Sequence, residues 1–325
     1  MRHKETVAIS IPTGVGAEIG GYAGDAGKIA KMFSRHFNVL CHPNVVNGGI
    51  LSGINENILY VEGYSFDEFF KGSLSLLPKE EFAENKIGVI FDKSIPENIL
   101  NVHINTIYAA REVMGLDIPY YDITDEDVGV EFFIKNGIST GILKNEQTLL
   151  KSAKRLISKG CEALAIVCYF GDDADSEDYE NGIGVDPIGG IEAVISHYLS
   201  KELKIPTAHA PAFSSIDILD KISNPKVASE NISSTYLPCI LMGLSKAPTL
   251  DYTCKKGIKN TDIKALIIPK KGFGGIAPLA AIENNIKVIT VDNKISGGLS
   301  CNEVSASGII EYDTYENCLN ALIKG

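Results

Sequence analysis

Short apolar, strand-like runs alternate with amphipathic helical segments along most of this 325-residue chain. Near the N-terminus, residues 7–12 form a β-branched run and residues 13–25 are rich in glycine. Residues 26–36 then have helical periodicity, and residues 37–41 are again strand-like. Strands joined through helices in this way lie parallel, and parallel sheets need helices on both faces. The pattern predicts an α/β fold, either as two Rossmann-like lobes or as one large, mostly parallel sheet flanked by helices.

A second unit of the same kind occupies residues 265–291, and one hairpin interrupts the alternation. Residues 128–134 and 138–143 are strand-like and flank the turn Lys135-Asn136-Gly137, which predicts a small antiparallel hairpin. A chain of this length exceeds one average domain. We therefore expect an N-terminal α/β lobe over residues 1–145 and a C-terminal α/β lobe over residues 146–325, each with a glycine-rich turn.

The composition argues against several classes of protein. A net charge of −11 and a pI near 5.1 are unfavourable for binding nucleic acids or anionic membranes, because both need a basic surface. The longest apolar runs, residues 163–170 and 237–244, are far shorter than the roughly 20 residues that span a bilayer. The N-terminal segment lacks the apolar core and cleavage site of a signal peptide. We expect a soluble, cytoplasmic protein with no nucleic-acid or membrane partner, and we consider a homodimer as its assembly.

Seven cysteines are scattered along the chain without a single CxxC pair. The spacing argues against a zinc ribbon, and the odd number argues against a complete disulfide framework. Free cysteines are often buried as small apolar residues. We expect most of these cysteines to be buried in the core.

Glycine-rich turns are the candidate binding sites for a small anionic metabolite. A strand, a glycine loop and a helix together direct backbone N–H groups and a helix dipole toward an anion. The sequence GVGAEIG matches neither the P-loop nor a clean GxGxxG motif, so tight-turn packing without a ligand stays an open alternative. The candidate substrate-binding residues are Gly14, Gly16, Gly20, Gly21, Gly24 and Asp25 in the first turn, Gly189 and Gly190 in another, and Gly274 and Gly275, beside two lysines, near the C-terminus.

A polar loop after the strand at residues 37–41 supplies three more candidate substrate-binding residues. His42, Asn44 and Asn47 stand at the carboxyl end of a predicted strand, where open α/β sheets place ligand contacts. Ordinary turn chemistry explains the two asparagines and the histidine equally well.

Residues 182–213 hold the densest group of reactive side chains. Asp186 and Pro187 form a strong helix start, and the following apolar positions have helical spacing up to about residue 204. Residues 205–208 then predict a short strand that brings His209 to the edge of a sheet, in an AHAPA turn. We expect this stretch to form one wall of a site, with His209 as its best catalytic candidate.

Several motifs resemble the DUF3326 family, and they cover residues 9 to 295 in the same order. They are IPTGVGAEIGGYAGDA, HPNVVNGG, LYVEGY, GVDPIGGIEAVISH, AHAPAF and LPCILMGLSKAP. The family has no assigned reaction, so the resemblance implies no chemistry. It implies that His42, Asp186, Glu192, His197, His209 and Cys239 belong to family motifs. The sequence departs from the family at Cys41 and Cys168, which counts against a mechanism built on those two thiols.

Three kinds of chemistry compete for the site. The first is acid–base catalysis by His197 and His209, oriented by Asp186 or Glu192, because imidazole titrates near working pH. The second is a Cys–His pair of Cys239 and His209. The third is a metal held by the two histidines and a carboxylate, which ranks last. Glu192 and His197 are about 140° apart around a helix and cannot reach one small ion without distortion.

These candidates predict a small-molecule metabolic enzyme of the hydrolase, lyase or isomerase type. The alternatives are a non-catalytic protein that binds a nucleotide or metabolite, and a nucleotide-sugar transferase, which rests on fold analogy alone. Neither the substrate nor a cofactor can be read from the sequence.

Overall fold

The computed structural model describes residues 4–12, 16–21, 24–80, 83–135, 138–171, 179, 185–216, 222–295 and 297–325. The predicted binding residue Gly14 and residues 182–184 lie outside these ranges.

The described residues form fourteen strands and nine α-helices. The strands are β1 (Thr6–Ile9), β2 (Asn38–Cys41), β3 (Ile58–Tyr60), β4 (Ser75–Leu77), β5 (Ile87–Phe91), β6 (Tyr120–Ile123), β7 (Val130–Lys135), β8 (Ile138–Leu143), β9 (Ala163–Gly171), β10 (Thr207–Phe213), β11 (Thr249–Asp251), β12 (Ile263–Pro269), β13 (Val288–Val291) and β14 (Ile310–Tyr312). The helices are α1 (Gly27–Ser34), α2 (Pro43–Val46), α3 (Gly63–Phe70), α4 (Glu97–Met114), α5 (Glu146–Ser158), α6 (Gly189–Leu203), α7 (Leu237–Ser245), α8 (Ile276–Glu283) and α9 (Tyr315–Lys324). Short 3₁₀ segments cover Gly48–Ser52, Pro225–Ile232 and Asn260–Asp262.

The larger sheet has six parallel strands in the order β14-β13-β12-β1-β2-β3. Its central strands are buried on both faces, as in β1 and β13, where every residue is buried. The chain winds outward from β1 in one direction and from β12 in the other. The boundary between β1 and β12 is therefore a topological switch point, where open parallel sheets form a crevice at the carboxyl ends of their strands.

The second sheet has four parallel strands in the order β10-β9-β5-β6. Strand β10, which carries His209, lies at its edge. The predicted AHAPA turn is wrong, because these residues continue the strand as far as Phe213. An edge strand tolerates Pro211, which lacks a backbone donor.

Two small antiparallel sheets complete the fold. One is the predicted hairpin of β7 and β8, and the other pairs β4 with β11. The predicted α/β class with parallel sheets, helices and a small antiparallel hairpin is thus confirmed. Each parallel sheet takes strands from both predicted lobes, since β1–β3 and β5–β6 precede residue 145 while β9, β10 and β12–β14 follow it.

Helices cover both faces of each parallel sheet. Apolar residues of α1 and α9 pack on one face of the six-stranded sheet, and those of α3 and α8 pack on the other. The four-stranded sheet is covered by α4 and α7 on one face and by α5 and α6 on the other. Helix α7 contributes to the cores of both sheets, and α3 contacts α6. The two sheets therefore meet along these helices.

All seven cysteines are free, and most of them are buried, as expected. Across the described ranges, no helix has the length and apolar character needed to cross a membrane.

Close packing explains Gly190 at the start of α6. The Gly190 N–H donates to the Ser139 hydroxyl (3.0 Å), which in turn donates to the Pro187 carbonyl (2.8 Å). A Cβ at Gly190 would overlap the backbone of Ser139 and Thr140 in β8. Glycine is therefore required here for helix α6 to contact the hairpin.

We expect Gly190→Ala to lower the free energy of unfolding by about 2 to 3 kcal/mol, because backbone must shift to admit the methyl group. The matched control is Gly274→Ala, since a Cβ at Gly274 meets no atom within 4 Å. That change should stay within about 0.5 kcal/mol. Urea unfolding of both variants measures the effect. Equal stability of the two variants would show that Gly190 has no packing role.

Candidate functional site

His42 follows β2 directly and begins helix α2 as its N-cap residue. Its Nδ1 atom accepts a hydrogen bond from the backbone N–H of Asn44 at 3.3 Å. An imidazole that accepts at Nδ1 and is neutral carries its proton on Nε2. His42 thus presents an N–H donor at the carboxyl edge of the six-stranded sheet, where the sequence predicts a ligand contact.

Glu62 and Gly63 follow β3, the next strand along the same edge. The buried Glu62 carboxylate accepts hydrogen bonds from the backbone N–H groups of Tyr64 (2.9 Å) and Ser65 (3.1 Å) at the start of α3. It also accepts one from the Ser200 hydroxyl on α6. This carboxylate therefore joins a helix of one sheet to a helix of the other. Burial raises the pKa of Glu62 to about 7.

Gly63 allows two imidazoles to approach the same point of the backbone. The Nε2 atoms of His197 and His42 lie 2.7 Å and 3.3 Å from the position that a Cβ of Gly63 would occupy. His197 comes from α6 and also lies against the Tyr64 ring, with 6.0 Å between ring centroids. A side chain at position 63 would displace these rings, so the absence of a Cβ is part of the geometry of the site.

His209 reaches the same region from edge strand β10. Its Nδ1 atom lies 2.9 Å from the Ser196 hydroxyl, which also lies 3.3–3.4 Å from the backbone carbonyls of Ala193 and Glu192. Either group can donate in this pair, and we assign the proton to Nδ1 of His209, because a helical serine commonly donates to a backbone carbonyl of the preceding turn. The Nε2 atom of His209 then carries a lone pair. The Glu192 carboxylate, 8% exposed, lies 4.0 Å from this atom.

Burial lowers the pKa of all three imidazoles, to about 3 for His42, about 4 for His197 and about 3 for His209. His197 further lowers the pKa of His42, and both of these rings lower that of His209. The three histidines are therefore close enough to interact electrostatically and are neutral at pH 7. We refer to His42, His197, His209 and Glu192 as the histidine cluster.

The predicted separation of Glu192 and His197 agrees with their contacts, since Glu192 faces His209 and His197 faces Gly63. In the part of the chain that the structure describes, no group of three or more His, Cys, Asp or Glu residues is arranged to hold a metal ion.

Asp186 and Cys239, two other candidate catalytic residues, have structural contacts. Asp186 accepts hydrogen bonds from the backbone N–H groups of Ile188 (3.0 Å) and Gly189 ahead of α6, and burial raises its pKa. Cys239 is 4% exposed and belongs to the apolar core that includes Tyr60. Cys41 and Cys168, the two positions where the sequence departs from the family, are also buried. Burial raises the pKa of both thiols.

The first glycine-rich loop follows β1, at the switch point of the six-stranded sheet. Asn293, after β13, receives the Ile19 N–H on its side-chain oxygen (3.0 Å) and donates its amide to the Ile19 carbonyl (2.6 Å). The loop also packs closely on itself, because a Cβ at Gly20 would overlap the side chain of Ile11. Left-handed backbone angles occur at three of its glycines, namely Gly20, Gly21 and Gly24. Gly16 is buried.

Asp25, at the end of this loop, accepts hydrogen bonds from the backbone N–H groups of Gly27 and Gly49. Asn44 donates its amide to the Ile11 carbonyl at 3.4 Å, and Asn47 ends helix α2. These residues therefore connect the loop after β1 to the loop after β2. The histidine cluster begins at His42 in the same loop.

The last glycine turn, with Gly274 and Gly275, follows β12 and precedes α8. Both glycines are exposed. The nearby Ala277 N–H donates to the Asp67 carboxylate of α3 at 3.1 Å. This turn lies on the other side of the switch point from β1.

Glu62, Gly63 and Ser196 are the residues that the sequence analysis missed. Their contacts come from four separate segments of the chain, so no local pattern contains them. The available signal was the acidic Glu62 close after strand β3, at the same edge of the sheet as His42 after β2.

Comparisons with known proteins confirm the family resemblance and supply no activity. The profile described as "Protein of unknown function (DUF3326)" matches residues 6–321. An uncharacterised lipoprotein of Synechococcus sp. is 36% identical over 294 residues, which are 88% of this chain and 81% of that relative. No solved structure matches the chain.

The lowered pKa of His209 predicts a pH dependence of folding stability. The unfolded chain binds a proton at this residue near pH 6.5, and the folded protein binds it only near pH 3. The free energy of unfolding therefore falls as the pH decreases between these values. Because 29% of the side chain is exposed, we expect a loss of about 1 kcal/mol between about pH 7.5 and about pH 5.

Urea unfolding of wild type and His209→Asn at both pH values isolates this effect, because all other groups titrate in both proteins. Asparagine keeps a donor for Ser196. The stability advantage of wild type over the variant should fall by about 1 kcal/mol at the lower pH. The control is His36→Asn, which removes an exposed histidine outside the cluster. An equal change in that variant would mean that the effect is not specific to the cluster. A constant difference for His209→Asn would contradict a neutral, buried imidazole.

Proposed function

Since the chain belongs to the DUF3326 family, for which no function is described, we propose one from its own residues: proton transfer on a small anionic metabolite. His209 acts as the base and His42 as the acid, in an isomerase- or lyase-type reaction. The observation that carries this proposal is the different partner of each Nδ1 atom in one cluster, a backbone N–H for His42 and a serine hydroxyl for His209. From these partners we assign a lone pair to Nε2 of His209 and a proton to Nε2 of His42.

The two tautomers support a division of roles. His209 removes a proton from a carbon next to the carbonyl or carboxylate of the substrate, and the electron pair of that C–H bond moves toward the oxygen. The Nε2–H group of His42 donates a hydrogen bond to this oxygen as its negative charge develops. In an isomerase, the proton returns from His209 to another carbon. In a lyase, the electron pair returns from the oxygen and breaks the bond to a leaving group on the next carbon, and His209 passes its proton to that group.

Glu192 supports the role of His209. The imidazolium that forms carries a positive charge, and the carboxylate at 4.0 Å stabilises it. The base is otherwise weak, because burial and the neighbouring imidazoles lower its pKa. Catalysis therefore requires the pKa of His209 to rise when the substrate binds.

This requirement supports an anionic substrate. A carboxylate or phosphate beside the cluster favours the protonated form of His209 and raises its pKa toward the range in which a general base works. A neutral substrate would leave the three imidazoles as they are. The glycine turns after β1 and β12 lie at the switch point of the same sheet, which is where such sheets bind ligands.

The Cys–His alternative has less support. A nucleophilic thiol needs a partly exposed, electropositive environment, whereas Cys239 is 4% exposed in an apolar core. It remains the second candidate because Cys239 lies near the start of helix α7, where the helix dipole favours a thiolate.

We also propose a cytoplasmic location. Free cysteines throughout the chain are usual in a reducing compartment. The Synechococcus relative is called a lipoprotein, so attachment to a membrane is the competing location. Fractionation of cells that produce the chain should recover it with cytosolic markers. Recovery in the membrane fraction, resistant to washing with salt, would refute the proposed location.

Proton transfer can be tested without knowing the product. We expect wild type to exchange a C–H proton for deuterium, in D₂O, in at least one member of a panel of hydroxy acids, keto acids and sugar phosphates. His209→Asn should slow this exchange by at least about 100-fold, because it removes the base. Proton NMR of the panel measures the rate.

His36→Asn is the control and should keep the wild-type rate. Cys239→Ser separates the two kinds of chemistry, since acid–base catalysis by His209 and His42 should survive this change, whereas a loss as large as that in His209→Asn would establish the Cys239–His209 pair. Absence of exchange across the whole panel with wild type would contradict proton transfer at carbon.

A further inference from the structure

A cleft of about 780 Å³ lies beside helix α1, apart from the histidine cluster. Its other walls are the two 3₁₀ segments Gly48–Ser52 and Pro225–Ile232. The residues that line this cleft do not include His42, His197 or His209. The volume is in the range of sites that hold small molecules. We propose that this cleft is a second binding site, for a phosphorylated small molecule with an apolar part.

Three cations of one helix face line the cleft. Lys28, Lys31 and Arg35 are spaced three and four residues apart, so they point to the same side of α1 and its C-cap. They span about 10 Å, at 1.5 Å per residue. Such a row can contact several oxygens of a phosphate or diphosphate, whereas a single carboxylate offers fewer acceptor oxygens.

One of the three cations, Lys31, interacts with a carboxyl group of the cleft, since burial raises the pKa of Asp25 and the charge of Lys31 acts against this rise. Among the described residues, neither Lys28 nor Arg35 forms an ion pair. Lys31 donates to the Ser52 hydroxyl at 2.8 Å. Lys28 and Arg35 are exposed. On a chain with a net charge of −11, this row is a local positive surface that attracts an anion.

Two acidic residues line the cleft, Asp25 and Glu316. The Asp25 carboxylate is already hydrogen-bonded to the backbone N–H groups of Gly27 and Gly49. Glu316 comes from the first turn of α9. Three cations therefore face two carboxylates, one of which is held by the backbone, and the balance of charge favours an anionic ligand.

The cleft also has an apolar wall. Ile29 and Met32 of α1 contribute to it, and so does Ile232, whose side chain is 52% exposed. Solvent exposure of a large apolar side chain inside a cleft is relieved when an apolar group covers it. The ligand that fits carries its phosphate on the Lys28 side and an apolar portion against these residues.

Binding of hexyl phosphate, pyrophosphate and inorganic phosphate at low ionic strength, measured by titration calorimetry and thermal shift, tests this site. We expect hexyl phosphate to bind more tightly than inorganic phosphate and to raise the melting temperature. Lys28→Gln/Arg35→Gln should weaken its binding by at least about tenfold, because two cationic contacts are lost. Both residues are exposed, so the variant should fold.

The matched control is Lys151→Gln/Lys154→Gln on α5, which removes two exposed lysines from another helix. It changes the net charge equally and should leave the binding of hexyl phosphate within about twofold of wild type. His209→Asn should also bind like wild type, because the cleft does not depend on the proposed catalytic function.

Three results would overturn the proposal. The first is no binding of any phosphate probe by wild type at millimolar concentration. The second is an equal loss in both double variants, which would mean a diffuse effect of charge. The third is loss of binding in His209→Asn with normal binding in Lys28→Gln/Arg35→Gln, which would assign the phosphate to the histidine cluster.

Discussion

The buried carboxylate of Glu62 connects the two parallel sheets of this protein. It accepts hydrogen bonds from the start of α3, on the six-stranded sheet, and from Ser200 of α6, on the four-stranded sheet. A buried carboxylate is unfavourable unless its oxygens are hydrogen-bonded. The position of α3 against α6 is thus fixed at the point where Gly63 meets the imidazoles. The histidine cluster depends on this junction, because its members come from both sheets.

Burial at the junction determines the chemistry that the cluster can perform. The three imidazoles are largely shielded from solvent and lie close to one another, so they are neutral at pH 7. In a neutral imidazole, the hydrogen bond at Nδ1 decides whether Nε2 is a donor or an acceptor. His42 is fixed by a backbone N–H and His209 by a serine hydroxyl. Rings of opposite tautomer in one cluster supply a donor and an acceptor without any net charge.

The sequence was sufficient to predict individual helices and strands, but it did not predict how they pack together. Periodicity predicted α1 and α6 within a few residues, because each has an apolar stripe. The strand that brings His209 into place was also predicted, and it extends further than expected. The turn assigned after that histidine was wrong, because Pro211 is compatible with an edge strand whose N–H groups need no partner.

The histidine cluster could be predicted only in part, because it is assembled from segments far apart in the chain. His42, Glu192, His197 and His209 were each named from local patterns, yet no pattern indicated that His42 would lie beside His197. Gly190 was expected to bind substrate, and its contact with Ser139 gives it a packing role that only the hairpin reveals. Tertiary contacts of this kind have no signature in a single stretch of sequence.

The tautomers of His42 and His209 are the most direct measure of the proposed site. Nitrogen-15 NMR of protein labelled at histidine distinguishes Nδ1–H from Nε2–H and shows where each ring titrates. We predict Nε2–H for His42, Nδ1–H for His209, and two neutral rings from pH 7 down to about pH 5. The same tautomer in both rings, or a cationic ring at pH 7, would contradict a base and an acid paired in this way.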